Sequence, residues 1–199
     1  MYSIQKFLSA NGGYAHMSEL RAASFQTRDI RKWVHNGTLE KIKPGFYRLS
    51  EFSLDGPAHF QIIDMCMAYP KAILCLVSAL DLYELTTTIP SHIHLAIPQN
   101  ERAPKITYPR LWIHYFSKSV YELGVTTKKY KTGAIRIYSP EKTICDMFRY
   151  RKKLGEDIAM ESLKRYMQDK KPDINKMLYY AKICRVMGIM EPYLHALVS

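Results

Sequence analysis

Four side chains able to grip an anion recur at helical spacing between residues 28 and 35. They are Arg28, Arg31, Lys32 and His35, in the run TRDIRKWVHNG. Counted at about 100° per residue from Thr27, they share an arc of about 100°, and Ile30, Trp33 and Val34 fill the opposite one. One face of such a helix can be buried while the other presents two guanidiniums, an ammonium and an imidazole. Duplex DNA suits that face, because its major groove admits an α-helix and Arg bonds bidentately to guanine O6 and N7. Arg28 and Arg31 are assigned to base edges, with Thr27, Lys32 and His35 in mixed roles.

The run GTLEKIKPGFYRLS follows at once and reads as a hairpin turning at Pro44-Gly45. The symmetric pairing sets Ile42 opposite Tyr47, Lys41 opposite Arg48 and Glu40 opposite Leu49. Because side chains alternate along a strand, Ile42, Tyr47 and Leu49 share one face, while Lys41, Lys43, Phe46 and Arg48 share the other. The expectation is a basic outer face, with Lys41, Lys43 and Arg48 on DNA backbone phosphates. Phosphate contacts position a protein, and base contacts specify sequence.

Other chemistry finds less support. His92, His94 and His114 sit on predicted strands and could meet at a metal if those strands were neighbours, but no carboxylate stands beside them in sequence to orient the rings. Asp64, Asp81, Glu84, Glu101 and Asp146 are too dispersed for a metal-dependent nuclease or a nucleotidyltransferase-like enzyme. No phosphate-cradling glycine loop and no G-x-S-x-G elbow is present. The chain is therefore read as a non-enzyme with no cofactor and no metal. An RNA-binding module is set aside, because the aromatics pattern as core and do not interleave with the basic residues.

The charge balance agrees with a polyanionic partner: 29 Lys and Arg stand against 18 Asp and Glu, a net +11. The excess is spread over the whole chain, and RYRKK (Arg149–Lys153) is its densest cluster after the first region. The longest apolar run, Ala72–Leu80, falls well short of the roughly 18–20 residues that span a bilayer. The N-terminus lacks the pattern of a secretory signal. Cys66, Cys75, Cys145 and Cys184 are scattered in apolar settings and read as reduced core thiols. These features place the protein in the cytoplasm, away from membranes.

The elements that must position these residues fall into two regions. Three short helices and a hairpin occupy residues 1–52, the layout of a winged helix-turn-helix. Ser18 is a candidate N-cap for the second helix, and Gly37 closes the third. A cluster of Ser, Asp, Gly and Pro between Ser50 and Phe60 marks a boundary. Residues 56–199 then form a mixed α+β domain. It holds a helix over Ala58–Pro70, a strand in AILCLV, a helix capped by Ser78, and strands at His92–Pro98, Arg110–Phe116 and Ala134–Ser139. From Ser139 the chain is helical, broken at KKPD (Lys170–Asp173). The fold class is α+β, with a helical C-terminal bundle. In SPEKTICD, Ser139 is an N-cap, Pro140 sits at N1 and Glu141 favours the positive helix end. Asp146, one turn on, is assigned to a salt bridge or the surface.

The run GGYAHMSELRAASFQTRDIRKWVHNGTLEKIKPGFYRLSE resembles the N-terminal winged-helix domain of AbiEi-type antitoxins of bacterial type IV toxin–antitoxin systems. The likeness continues through AILCLVSALDLYEL, IPSHIHLAIPQN and IRIYSPEKTICDMF, in the order of that family's second domain, and covers roughly residues 4–150. The resemblance implies a transcriptional repressor that binds its own promoter, and repressors often read inverted repeats as dimers or cooperative monomers. It implies an antitoxin that counteracts a nucleotidyltransferase-type toxin without forming a stable complex. The motif Ser139, Pro140, Glu141, Lys142, Thr143 and Asp146 marks the antitoxin domain. A plain winged-helix regulator without an antitoxin role is the nearest alternative.

Overall fold

The computed structural model of the chain describes residues 3–51, 59–130, 133–168 and 171–198. The protein mixes helix and strand, and its described elements from Pro140 onward are all helices. It divides into two compact units, residues 1–70 with 128–135, and residues 71–127 with 136–199. Most of the Ser50–Phe60 break, the expected domain start at residue 56 and Lys170 of KKPD lie outside the described residues. The first unit continues to Pro70, so the helix after the break belongs to it and not to the second domain.

In the first unit, α1 (Ile4–Ala10) opens on Ser3, whose hydroxyl accepts the Lys6 N–H at 3.3 Å. The chain passes through β1 (Tyr14–His16) into α2 (Met17–Ala22). That helix starts one residue before the expected Ser18 cap. The Glu19 carboxylate reaches back to the His16 N–H at 2.5 Å, satisfying a donor that the helix start would orphan. After α3 (Thr27–His35), Gly37 takes φ 76°, a left-handed turn that glycine enters at little cost. Strands β2 (Leu39–Lys43) and β3 (Phe46–Leu49) complete an antiparallel sheet of order β1-β3-β2.

The register corrects the expected hairpin. Leu39 pairs with Leu49, Glu40 with Arg48 and Lys41 with Tyr47, and an irregularity between Lys41 and Lys43 leaves Lys43 opposite Phe46. A one-residue slip of this kind exchanges faces. Ile4, Leu8, Leu20 and Ile30 from the helices bury Ala15, Leu39, Tyr47 and Leu49 on one side of the sheet. The other side is not open. Tyr14, Phe46 and Ile42 pack there with Ala68, Met67 and Tyr69 at the end of α4 (Phe60–Ala68).

The second unit holds most of a five-stranded sheet of order β6-β5-β4-β8-β7, whose residues 128–135 belong to the first unit. Its strands are β4 (Ile73–Leu74), β5 (Ile93–Pro98), β6 (Leu111–Phe116), β7 (Val125–Tyr130) and β8 (Gly133–Tyr138). The pairs β5–β6 and β4–β8 are parallel, and β4–β5 is antiparallel. The expected strand AILCLV shrinks to two residues, because α5 (Leu76–Leu82) begins inside it. Ser78 is therefore no N-cap. It is buried within α5, where its hydroxyl accepts the His94 N–H at 2.9 Å and donates to the His92 carbonyl at 3.3 Å. A short α6 (Lys118–Tyr121) precedes β7.

The remaining helices are α7 (Pro140–Leu154), α8 (Glu156–Met167), α9 (Ile174–Ile183) and α10 (Met187–Val198). Helix α7 is central, with Ile144, Cys145, Met147 and Phe148 fully buried among residues of α5, α8 and α9. None of the four cysteines forms a disulfide, and all four are buried. Burial pushes the thiols of Cys66, Cys145 and Cys184 up, that of Cys66 to about 12 and that of Cys184 to about 11, which keeps these three protonated. No helix among the described residues is long and apolar enough to cross a membrane.

Candidate nucleic-acid interface

Helix α3 is amphipathic as its spacing predicts. Ile30 is fully buried, with Trp33 and Val34 packed beside it, while Arg28, Arg31, Lys32 and His35 are exposed. The ring of Phe25 holds Trp33 in place edge-on, 5.6 Å between centroids, and meets Phe7 at 5.4 Å. Asp29 in the first turn complements the positive helix end without interrupting the basic face. Thr27 is half-buried, and its hydroxyl accepts a hydrogen bond from the Arg21 guanidinium at 3.1 Å. Arg21, exposed on α2, thereby joins the start of the basic face. It lies six residues before Thr27, outside the periodicity of either helix, and no sequence pattern marks it.

The hairpin contributes less cationic surface than expected. Lys41 is exposed at the edge strand β2. Lys43 is half-buried, donating to the Ala68 carbonyl with its ammonium 4.2 Å from the Tyr69 ring centroid. Burial lowers the Lys43 pKa from its ordinary value. Arg48 departs furthest from expectation, being only 6% exposed. Its guanidinium pairs with Glu40 at 2.5 Å and Asp64 at 3.3 Å and lies over the Phe60 ring. Asp64 also accepts from the Tyr14 hydroxyl at 2.6 Å, and burial outweighs these partners in raising its carboxyl pKa. Arg48 is thus a structural cation tying the sheet to α4, and its assignment to a DNA phosphate is withdrawn.

The motif at residues 139–146 starts α7 as the helix signals predict. The Ser139 hydroxyl accepts the Lys142 N–H at 3.4 Å, Pro140 occupies the first turn and the Thr143 hydroxyl donates to the Tyr138 carbonyl at 3.3 Å. Its charged members point inward, however. Lys142 and Asp146 form an ion pair at 2.5 Å with both side chains 0% exposed. The ammonium lies 4.5 Å from the Tyr138 ring centroid and 5.2 Å from that of Phe116. Glu141 is buried, accepts from the Tyr166 hydroxyl at 2.8 Å and pairs with Lys176 at 3.1 Å. Gly124 is what lets β7 approach: a Cβ there would stand 2.7 Å from the Lys142 Cβ, and its φ is +70°. The motif is a buried polar lattice, inaccessible to a substrate.

His94 and His114 converge across the parallel pair β5–β6, Nδ1 of one 3.0 Å from Nε2 of the other. Such a bond needs one N–H and one lone pair, so at least one ring is neutral. Burial pulls both down, His94 to about 3 with His114 and His92 opposing its charge, and His114 to about 4 with Lys153 opposing it. His92 stands apart, its Nδ1 2.9 Å from the Ser91 hydroxyl. Among the described residues, no group of three or more His, Cys, Asp or Glu is placed to hold a metal ion. No family model matches the chain, and no curated protein matches it.

Proposed function

We propose that the chain is a DNA-binding transcriptional regulator whose first unit is a winged helix with α3 as its recognition helix. The observation that carries the reading is the divided surface of α3. Ile30 is sealed into the core while Arg28, Arg31, Lys32 and His35 face solvent together. The order α1-β1-α2-α3-β2-β3 with a sheet of β1-β3-β2 is the arrangement a winged helix needs. In this reading Arg28 and Arg31 read base edges, and Arg21, Lys32, His35 and Lys41 bind phosphate. The wing works mainly as a brace, since Arg48 is spent on Glu40 and Asp64.

The resemblance to AbiEi-type antitoxins extends the proposal. The chain would repress its own promoter and counteract a nucleotidyltransferase-type toxin without a stable complex, and the second unit would carry the antitoxin role. The experiment is a gel shift on the promoter fragment beside co-expression with a nucleotidyltransferase-type toxin. Retardation weakened by Arg31→Ala, with toxin rescue retained, supports both parts. Unchanged retardation by Arg31→Ala overturns the α3 assignment. Failure of the wild-type chain to rescue leaves a regulator without the antitoxin role.

A further inference from the structure

Two sequence features that the proposed function does not use meet in the second unit. They are the histidines of β5 and β6, and the basic cluster Arg149–Lys153. The register aligns His94 with Trp112 and Ala96 with His114, so the two histidines and the indole share one face of the sheet. The hydrogen-bonded pair His94–His114 lies within 12° of one plane. The Trp112 ring is inclined only 32° and 22° to the two imidazoles, at centroid distances of 5.1 and 5.7 Å. His92 meets the indole edge-on at 5.9 Å. Helix α7 supplies the rest: Tyr150 packs edge-on against His114 at 5.5 Å, and Lys153 Nζ stands 5.0 Å from the indole centroid.

Exposure differs sharply across this cluster. His94 and His114 are buried, Trp112 and His92 half-buried, and Lys152, Lys153 and Arg110 exposed. The indole is therefore a fixed aromatic plate propped by a buried imidazole pair, with an ammonium on a flexible stem at its solvent side. We propose that Trp112, with Lys153 and His92, forms a binding site for an unpaired nucleobase and its phosphate in single-stranded nucleic acid. A base displaces Lys153 from the indole and stacks there, and the ammonium moves to the adjoining phosphate. Stacking of this kind accepts any base, because every base has a π-face, and the basic surround tracks the backbone. The net charge of +11 favours the same class of ligand. Linear sequence hides the site, because Trp112 and Lys153 come from elements some forty residues apart and meet only through the β6–α7 contact. The site goes beyond the α3 face in both place and ligand, and stands or falls separately from it.

The test uses the full chain and fluorescein-labelled single strands of about ten nucleotides, one RNA and one DNA of the same mixed sequence. Anisotropy titrations are run for wild type, Trp112→Leu, Lys153→Glu and Arg31→Ala, with circular dichroism confirming each fold. The expected result is binding weakened roughly five- to a hundredfold by Trp112→Leu and also weakened by Lys153→Glu, with Arg31→Ala weakening it less than either. The RNA and DNA arms identify which strand is the better ligand. Lys153→Glu lies on an exposed helix end, so it decides the question even if Trp112→Leu fails to fold. Binding unchanged in Lys153→Glu, no binding by wild type, or polyglutamate competing as well as unlabelled single strand overturns the site. A loss confined to Arg31→Ala also overturns it, by moving the ligand to α3.

Discussion

Lys142 and Asp146 stand one turn apart on α7 and close an ion pair at 2.5 Å with no solvent at either side chain. Burial is the largest influence on Asp146 and raises its carboxyl pKa, against the pull of Lys142. Removing one partner leaves a buried charge without compensation. Asp146→Ala is expected to cost about 3–5 kcal/mol, while Lys142→Met with Asp146→Leu comes out near neutral or more stable. Urea denaturation of the three proteins measures both. A single-variant cost below about 1 kcal/mol would match an exposed pair and refute the buried assignment.

The imidazole pair predicts a pH dependence. His94 and His114 are held neutral, at about 3 and about 4, against about 6.5 for an unfolded histidine. The unfolded chain therefore binds more protons in this range, and stability falls as pH drops. The contribution is whole above about pH 6.5 and is lost from there down towards pH 4, by up to about 1.4 kcal/mol per unit for each ring. His92, Lys153 and Tyr150 adjoin the pair and favour the neutral state or leave it unopposed. His114→Gln should flatten the urea midpoint between pH 6.5 and 4.5. An unchanged slope would show that the rings titrate normally.

Legibility in the sequence tracks how many faces of an element are buried. The division of α3 reads from periodicity because one side of that helix meets the core and the other meets water. The hairpin defeats the same reasoning. Phe46, Tyr47, Arg48 and Leu49 are all buried, since helices cover one side of the sheet and α4 the other. Alternation then no longer separates inside from outside, and Arg48 reads as exposed until Asp64 is seen beside it. Strand β7 is missed for the opposite reason: VTTKKY is largely exposed at a sheet edge and offers no apolar alternation. The helical stretch expected after KKPD breaks at Cys184–Val186, where Arg185 takes φ 58°. No glycine or proline announces that turn.

Arg48 yields a prediction that separates structural cations from DNA contacts. Arg48→Ala strands Asp64, buried beside Tyr14, and should destabilise the chain by about 3–5 kcal/mol. Promoter affinity of the molecules still folded should stay within twofold of wild type, in roughly the additive range for independent sites. Thermal melts together with anisotropy below the melting temperature report the two quantities. A normal melt with weakened binding would return Arg48 to the DNA face.

The two lysines of β2 should behave differently in salt. Lys41 is exposed and available to a phosphate, whereas the Lys43 ammonium is bonded to the Ala68 carbonyl and lies against Tyr69. Each phosphate neutralised contributes about −0.9 to the slope of log affinity against log salt. Lys41→Ala should flatten that slope by about this amount for any duplex, and Lys43→Ala should leave it unchanged while lowering stability. Arg31→Ala should instead cost about 1–3 kcal/mol on the promoter and much less on an unrelated duplex, as loss of a bidentate base contact requires. Titrations between roughly 50 and 200 mM salt read all three. Equal slopes and equal losses on both duplexes would mean that the α3 face does not read sequence.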